Sequence, residues 1–187
     1  NKRLESGTRA GDQRTSAASM NYGVIKPCDI ANGEGVRVSL FVSGCRFHCK
    51  GCFNQEAQDF NYGHPYTEAT EKQILTLASG PYISGLSILG GDPLWQDNGG
   101  IEQLQQLVYR VHSIGKTVWL WTGFSWEDIH WEDFCPPCQL VDSCDIVVDG
   151  PFIEELKDLS LVWRGSSNQR VIDVQATLRS GQIQIYK

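Results

Sequence analysis

Four times between residues 36 and 151 a short apolar run ends in a loop of unusual composition. Val36–Val42 (VRVSLFV) runs into Ser43-Gly44-Cys45, and Leu86–Leu89 into Gly90-Gly91-Asp92-Pro93. Thr117–Trp121 runs into Thr122-Gly123, and Asp145–Val148 into Asp149-Gly150-Pro151. The stretches between them read as helices. Glu68–Ser79 follows Thr67, a good N-cap, with acidic residues in its first turn. Ile101, Leu104, Leu107, Val108, Val111 and Ile114 form one apolar stripe that Gly115 stops. Strands alternating with helices predict an α/β fold, a parallel sheet with right-handed crossovers. Reactive groups in such sheets sit on loops past the strands' C-terminal ends, so the four loops are expected on one rim, as one site.

The first loop carries the strongest chemistry. Cys45-Arg-Phe-His-Cys49-Lys-Gly-Cys52 puts three of the chain's seven cysteines within eight residues. The first twenty residues lack the apolar stretch of a signal peptide, and an odd cysteine count argues against complete pairing, so metal binding or catalysis is expected rather than a disulfide framework. Arg46, His48 and Lys50 interleave the cysteines, which argues against a buried apolar thiol set. Three thiolates on a short loop can wrap three corners of an iron–sulfur cube, leaving the fourth iron open to a small molecule. Cys45, Cys49 and Cys52 are therefore the candidate metal ligands and the centre of any catalysis. His48 reads as a solvated loop histidine, and Cys28 and Cys144 as small buried hydrophobes.

Length and composition set the frame around that loop. A chain of 187 residues, 41% hydrophobic and 20% charged, is one ordinary domain able to bury a real core. Residues 1–19 contain one large aliphatic side chain, Leu4, and no period; a disordered leader is expected there, with Met20 as the natural start. The domain is placed at residues 20–174. Residues 175–187 form a tail in which Gln182–Tyr186 alternates like a short strand. Residues 20–187 hold twelve basic and twenty acidic side chains, a formal −8. Such a domain is a poor binder of phosphate backbones, so no nucleic-acid partner is expected. No apolar run is long enough to span a bilayer, so no membrane is expected either and the cytoplasm is the expected compartment.

The CxxxCxxC spacing resembles that of radical S-adenosylmethionine enzymes. GVRVSLFVSGC (35–45), CKGCFN (49–54), GGDPL (90–94), WLWTGF (119–124), VVDGPF (147–152) and WRGSSNQR (163–170), in that order, are similar to the anaerobic ribonucleoside-triphosphate reductase-activating proteins. The last segment narrows the superfamily to this family. The resemblance implies a partial, open (β/α) barrel holding one [4Fe-4S] cluster on Cys45, Cys49 and Cys52, and S-adenosylmethionine chelating the open iron. It implies that Gly90 and Gly91 let backbone approach the methionyl amino group and that Asp92 accepts from the ammonium. Gly51, Cys52 and Phe53 would contact the nucleoside, Phe53 lying nearest the adenine, and Thr122 and Arg164 join the cofactor-binding set. The implied reaction is reductive cleavage of S-adenosylmethionine, after which a hydrogen is taken from one glycine of the large reductase subunit. An external electron donor is implied as a second partner. Gly51 stands where many superfamily members carry an aromatic, and Glu34 where this family more often has proline; Glu34 is read as a surface variation.

Rival readings fail on context. Gly115-Lys116-Thr117 resembles the end of a P-loop but leads from helix into strand. Gly33-Glu34-Gly35 lacks the third glycine of a dinucleotide fingerprint. A zinc-binding interaction module on Cys49, Cys52, Cys135 and Cys138 would leave Cys45 unexplained and spans a far longer gap than zinc ribbons use. Activators of pyruvate formate-lyase share the cysteine loop and remain the alternative within radical chemistry. Cys135-Pro-Pro-Cys138 is read as a proline-stiffened loop with two incidental thiols, against a redox pair or second metal site. Trp119, Trp121, Trp126 and Trp131 are read as packing residues.

Overall fold

A computed structural model describes residues 20–131 and 135–187; the expected leader at 1–19 lies outside the described residues. The strands are β1 (Asn21–Asp29), β2 (Arg37–Val42), β3 (His64–Pro65), β4 (Gly85–Gly90), β5 (Thr117–Trp121), β6 (Ile146–Asp149) and β7 (Arg170–Asp173). They form one sheet in the order β3-β1-β2-β4-β5-β6-β7. β2, β4, β5 and β6 are parallel, as expected. β1, β3 and β7 run antiparallel to their neighbours, so the sheet is mixed rather than wholly parallel. β3 and β7 are its two edges, and the sheet is open.

Helices cover one face. α1 (Glu68–Ala78) is capped by Thr67 as expected, through a reciprocal pair with Thr70. α2 (Asn98–Ser113) packs Ile101, Leu104, Leu107, Val108 and Val111 inward. α3 (Trp126–Ile129), α4 (Pro136–Asp142) and α5 (Val174–Ser180) complete the layer. Val38, Leu40, Leu86, Ile88, Val118, Leu120, Val147 and Ile172 meet them in the main core. Strand pleating sends alternate residues to the opposite face, where Trp119, Ile146, Val148 and Val171 cluster with Trp121, Trp163 and Tyr186. Arg37, 1% exposed, ties three strands together on that face. Its guanidinium donates to Ser87 Oγ (2.8 Å), Leu86 O (2.9 Å) and Thr117 O (2.9 Å) and lies over the Trp119 ring. Burial lowers its pKa to about 10.

Several expectations are corrected. The tail holds α5, capped by Asp173 and closed by Gly181 at φ 68°, followed by a single bridge from Ile185 to Ile172 in place of a strand. Cys135-Pro-Pro-Cys138 is the cap and first turn of α4, because proline at the first helical positions loses no intrahelical bond. Cys144 is buried but Cys28 is exposed, on the outer part of β1. Trp119 packs in the core, Trp121 and Trp126 are half-buried, and Trp131 is 86% exposed. Glu34 binds the C-terminus, its carboxylate accepting from the Tyr186 hydroxyl and from Lys187 Nζ.

Candidate functional site

The cysteine loop begins where β2 ends and is folded back on itself. Gly44 N–H donates to Ala57 O (2.7 Å) and Cys45 N–H to Gln58 O (3.1 Å), so residues 56–58 brace the loop's first turn. Gly44 has φ 101°, and a Cβ there would lie 2.3 Å from the Phe60 ring, so glycine is required on both counts. Within the loop Cys52 N–H closes on Cys49 O (3.2 Å). The exposed His48 ring meets Gln58 Oε1 at 2.9 Å, in keeping with a solvated histidine.

The loop after β4 lies directly along this one. Gly91 N–H donates to Val42 O (2.7 Å) and Asp92 N–H to Gly44 O (2.8 Å). A Cβ on Gly91 would sit 2.5 Å from Gly44 O and 2.6 Å from Ala57 O. Protein backbone alone therefore demands a residue without a side chain here. Asp92 is 1% exposed. Its Oδ1 accepts from Leu94 N–H (2.9 Å), its Oδ2 from Gly123 N–H (2.7 Å), and the Thr122 hydroxyl lies 3.0 Å from both oxygens. Burial pushes this carboxyl up to about 6, against the pull of those donors. The Asp92 carboxylate thus staples the β4 loop to the β5 loop.

Phe47, inside the cysteine loop, locks the same three loops by packing. Its ring centroid is 4.8 Å from Phe124 and 5.8 Å from Trp95, both edge-on, and the ring lies where a Cβ on Gly123 would fall. The sequence signalled Phe47 only as an aromatic between charged neighbours. The β6 loop closes the rim. Asp149, 1% exposed, accepts from Trp126 N–H (2.7 Å) and pairs with Arg170, which also pairs with Glu127. Phe152 N–H reaches the Cys49 sulfur, and Lys50 pairs with Glu154 at 2.9 Å. The four strand-end loops are thus joined on one rim.

The remaining candidates differ in how they are placed. Phe53 is 86% exposed and Gly51 has φ 73°, with Glu154 packed against it. Thr122 is buried with its hydroxyl on Asp92. Arg164 donates from Nη1 to Gln169 O at 2.6 Å, closing the 164–169 loop on itself. Gln169 and Asn168, not singled out from the sequence, dock that loop on the rim by donating to Gly150 O (3.0 Å) and Pro151 O (2.8 Å).

The donor set suits an iron–sulfur cube. All three thiols are half-buried, and backbone N–H groups of Phe47 and Phe152 donate to the Cys45 and Cys49 sulfurs. Burial raises the Cys45 thiol to about 11 and raises Cys49 as well. Among the described residues no three His, Cys, Asp or Glu side chains converge on a single ion. Cys135 and Cys138, the second pair of the four-cysteine alternative, lie at the start of α4.

A family model described as a 4Fe-4S single cluster domain matches residues 31–172. The anaerobic ribonucleoside-triphosphate reductase-activating protein of Escherichia coli (strain K12) is 42% identical, over 81% of this chain and 97% of its own. Those of Enterobacteria phage T4 and Haemophilus influenzae are each 40% identical, over 81% and 80% of this chain and 93% and 96% of theirs. Among the described residues no helix is long and apolar enough to cross a membrane.

Proposed function

Because the chain belongs to the family of anaerobic ribonucleoside-triphosphate reductase-activating proteins, we propose that it cleaves S-adenosylmethionine reductively and sets a glycyl radical on the large subunit of an anaerobic ribonucleotide reductase. The observation that carries this reading is the joining of the cysteine loop to the Gly90-Gly91-Asp92 and Thr122-Gly123 loops on one rim. On this reading the open sheet is a partial (β/α) barrel of the radical S-adenosylmethionine type, working in a reducing cytoplasm.

Cys45, Cys49 and Cys52 hold a [4Fe-4S] cluster, with the Phe47 and Phe152 N–H groups donating to two of the sulfurs. A cluster held there would supply the one-electron reduction of the S-adenosylmethionine sulfonium, with an external donor as the source of the electron. The chain's own part is to position and to exclude water. The Gly90–Gly91 backbone meets the methionyl end. Asp92 and Thr122 act through that backbone, holding it against the cysteine loop. Gly51 and Cys52 offer backbone to the nucleoside, and the exposed Phe53 ring is free to cover adenine. Arg164 keeps the 164–169 loop closed over the rim. No side chain has to move a proton.

The test mixes the iron-loaded protein anaerobically with reductant, S-adenosylmethionine and the reductase. A doublet in electron paramagnetic resonance is expected, lost when the reductase's radical glycine becomes alanine. A radical formed on pyruvate formate-lyase but not on the reductase would move the assignment to the alternative activator class.

A further inference from the structure

Cys135 and Cys138 lie at the start of α4, in the helical layer, and the function proposed above does not use them. Cys135 caps α4 with extended backbone (φ −68°, ψ 150°), which turns its Sγ back over the first turn to within 3.3 Å of Cys138 N. Cys138 Sγ donates to Cys135 O at 2.7 Å, and the two thiols are within hydrogen-bond reach of each other. Pro136 and Pro137 fix the turn between them, so bringing the sulfurs together costs little backbone freedom. The pair is also asymmetric. Cys135 is half-buried, receives the Cys138 N–H on its sulfur and donates to Ile129 O at 3.6 Å, so its sulfur is the more accessible of the two. Cys138 is 3% exposed, and burial holds its thiol at about 11.

We propose that Cys135 and Cys138 form a reversible dithiol–disulfide site in which Cys135 is the attacking thiol and Cys138 the resolving one, with a low-molecular-weight disulfide as oxidant. Cys135 thiolate attacks one sulfur of the small disulfide. The old S–S bond breaks, a mixed disulfide forms, and one small thiol leaves. Cys138 then gives up its proton and attacks the Cys135 sulfur, closing the intramolecular bond and expelling the second small thiol. Two protein thiols are oxidised by two electrons, and one small disulfide is reduced to two thiols. The site is independent of the cysteine loop, so the same behaviour is expected in a Cys49→Ala chain.

The test equilibrates the iron-loaded chain anaerobically with defined mixtures of reduced and oxidised glutathione. The sample is then quenched with acid, alkylated and mapped by peptide mass spectrometry. Cys135 and Cys138 should lose their labels together, as one internal disulfide, while the lone exposed Cys28 shows only a glutathione adduct. C138S, which keeps a donor to Cys135 O, should accumulate a glutathione adduct on Cys135 that the unmodified chain resolves. C135S should take up an adduct on the buried Cys138 about tenfold more slowly or worse. Both thiols staying alkylatable at every ratio would overturn the proposal. So would an adduct on Cys135 that never closes in the unmodified chain, or equal adduct formation in C135S and C138S.

Discussion

Asp92 gives the rim a pH dependence of unusual sign. Most carboxyls that matter to a fold have lowered pKa values and strengthen it as pH rises. Burial lifts Asp92 from 3.8 to about 6, so the folded chain holds a proton that the unfolded chain releases. The resulting stability is fully present below the unfolded pKa and is lost as pH rises through about 6. Moving an acid that far is worth ~3 kcal/mol, of which ~2 kcal/mol falls between pH 4.5 and 7. Asp92→Asn removes the titration. The amide keeps one acceptor oxygen and sets an N–H₂ against either Leu94 N–H or Gly123 N–H, leaving a buried donor unmet at a cost of about 1–3 kcal/mol. That cost is independent of pH and cancels when the gap between the two proteins is compared across pH. Urea unfolding of the iron-free chains should therefore show the unmodified protein gaining ~2 kcal/mol on the variant from pH 7 down to pH 4.5. A constant gap, or one that widens toward pH 7, would show that the three donors outweigh burial and would refute the argument.

Replacing Cys45, Cys49 or Cys52 with Ala should abolish cluster assembly while sparing the fold, because these half-buried thiols add little to the core; iron and sulfide analysis after anaerobic reconstitution checks it. Gly91→Val should lose iron as well as S-adenosylmethionine binding, since its Cβ meets backbone of the cysteine loop; full iron with lost binding would place the close approach at the ligand alone. Arg170→Ala should cost about 3 kcal/mol in urea unfolding, because it leaves the buried Asp149 carboxylate without its cation. The Cys135→Ser, Cys138→Ser double variant should keep its full iron content, and loss of half the iron would reveal a second cluster.

The central strands could be read because they are covered on both faces. β2 is buried at every position, and four of its six residues, Val38, Leu40, Phe41 and Val42, are apolar. β1 could not: it carries Gly23 and Pro27, only Asp29 of its nine residues is buried, and its register with β2 jumps between Lys26 and Asp29, where the proline falls. β7 is four residues long and follows a loop held by Gln169 and Asn168, side chains whose partners lie across the rim rather than nearby in sequence. α5 did carry its signals, Asp173 and Gly181, but buries only Val174 and Thr177, too few for a stripe. At the rim, the cysteines and the glycine loop stood out by spacing and composition. That Asp92 turns its carboxylate inward to Thr122 and Gly123 depends on how two loops meet, which spacing does not encode.

With the two-residue β3 set aside, each remaining strand of the sheet lies beside the one before it in the chain. Each parallel pair is then joined by a helical crossover, and the pairings close one after another along the chain, Arg37 meeting Gly85 and Gly85 meeting Thr117. On a ribosome, where N-terminal segments emerge first, such a sheet can be laid down from one side. The braces from Ala57 and Gln58 are available as soon as the cysteine loop itself is made. Asp92 and its Thr122 partner follow, and the contacts that cover the sulfurs, Phe152 on Cys49 and Glu154 on Lys50, come from later still. In the order of synthesis the thiols are positioned first and roofed over last.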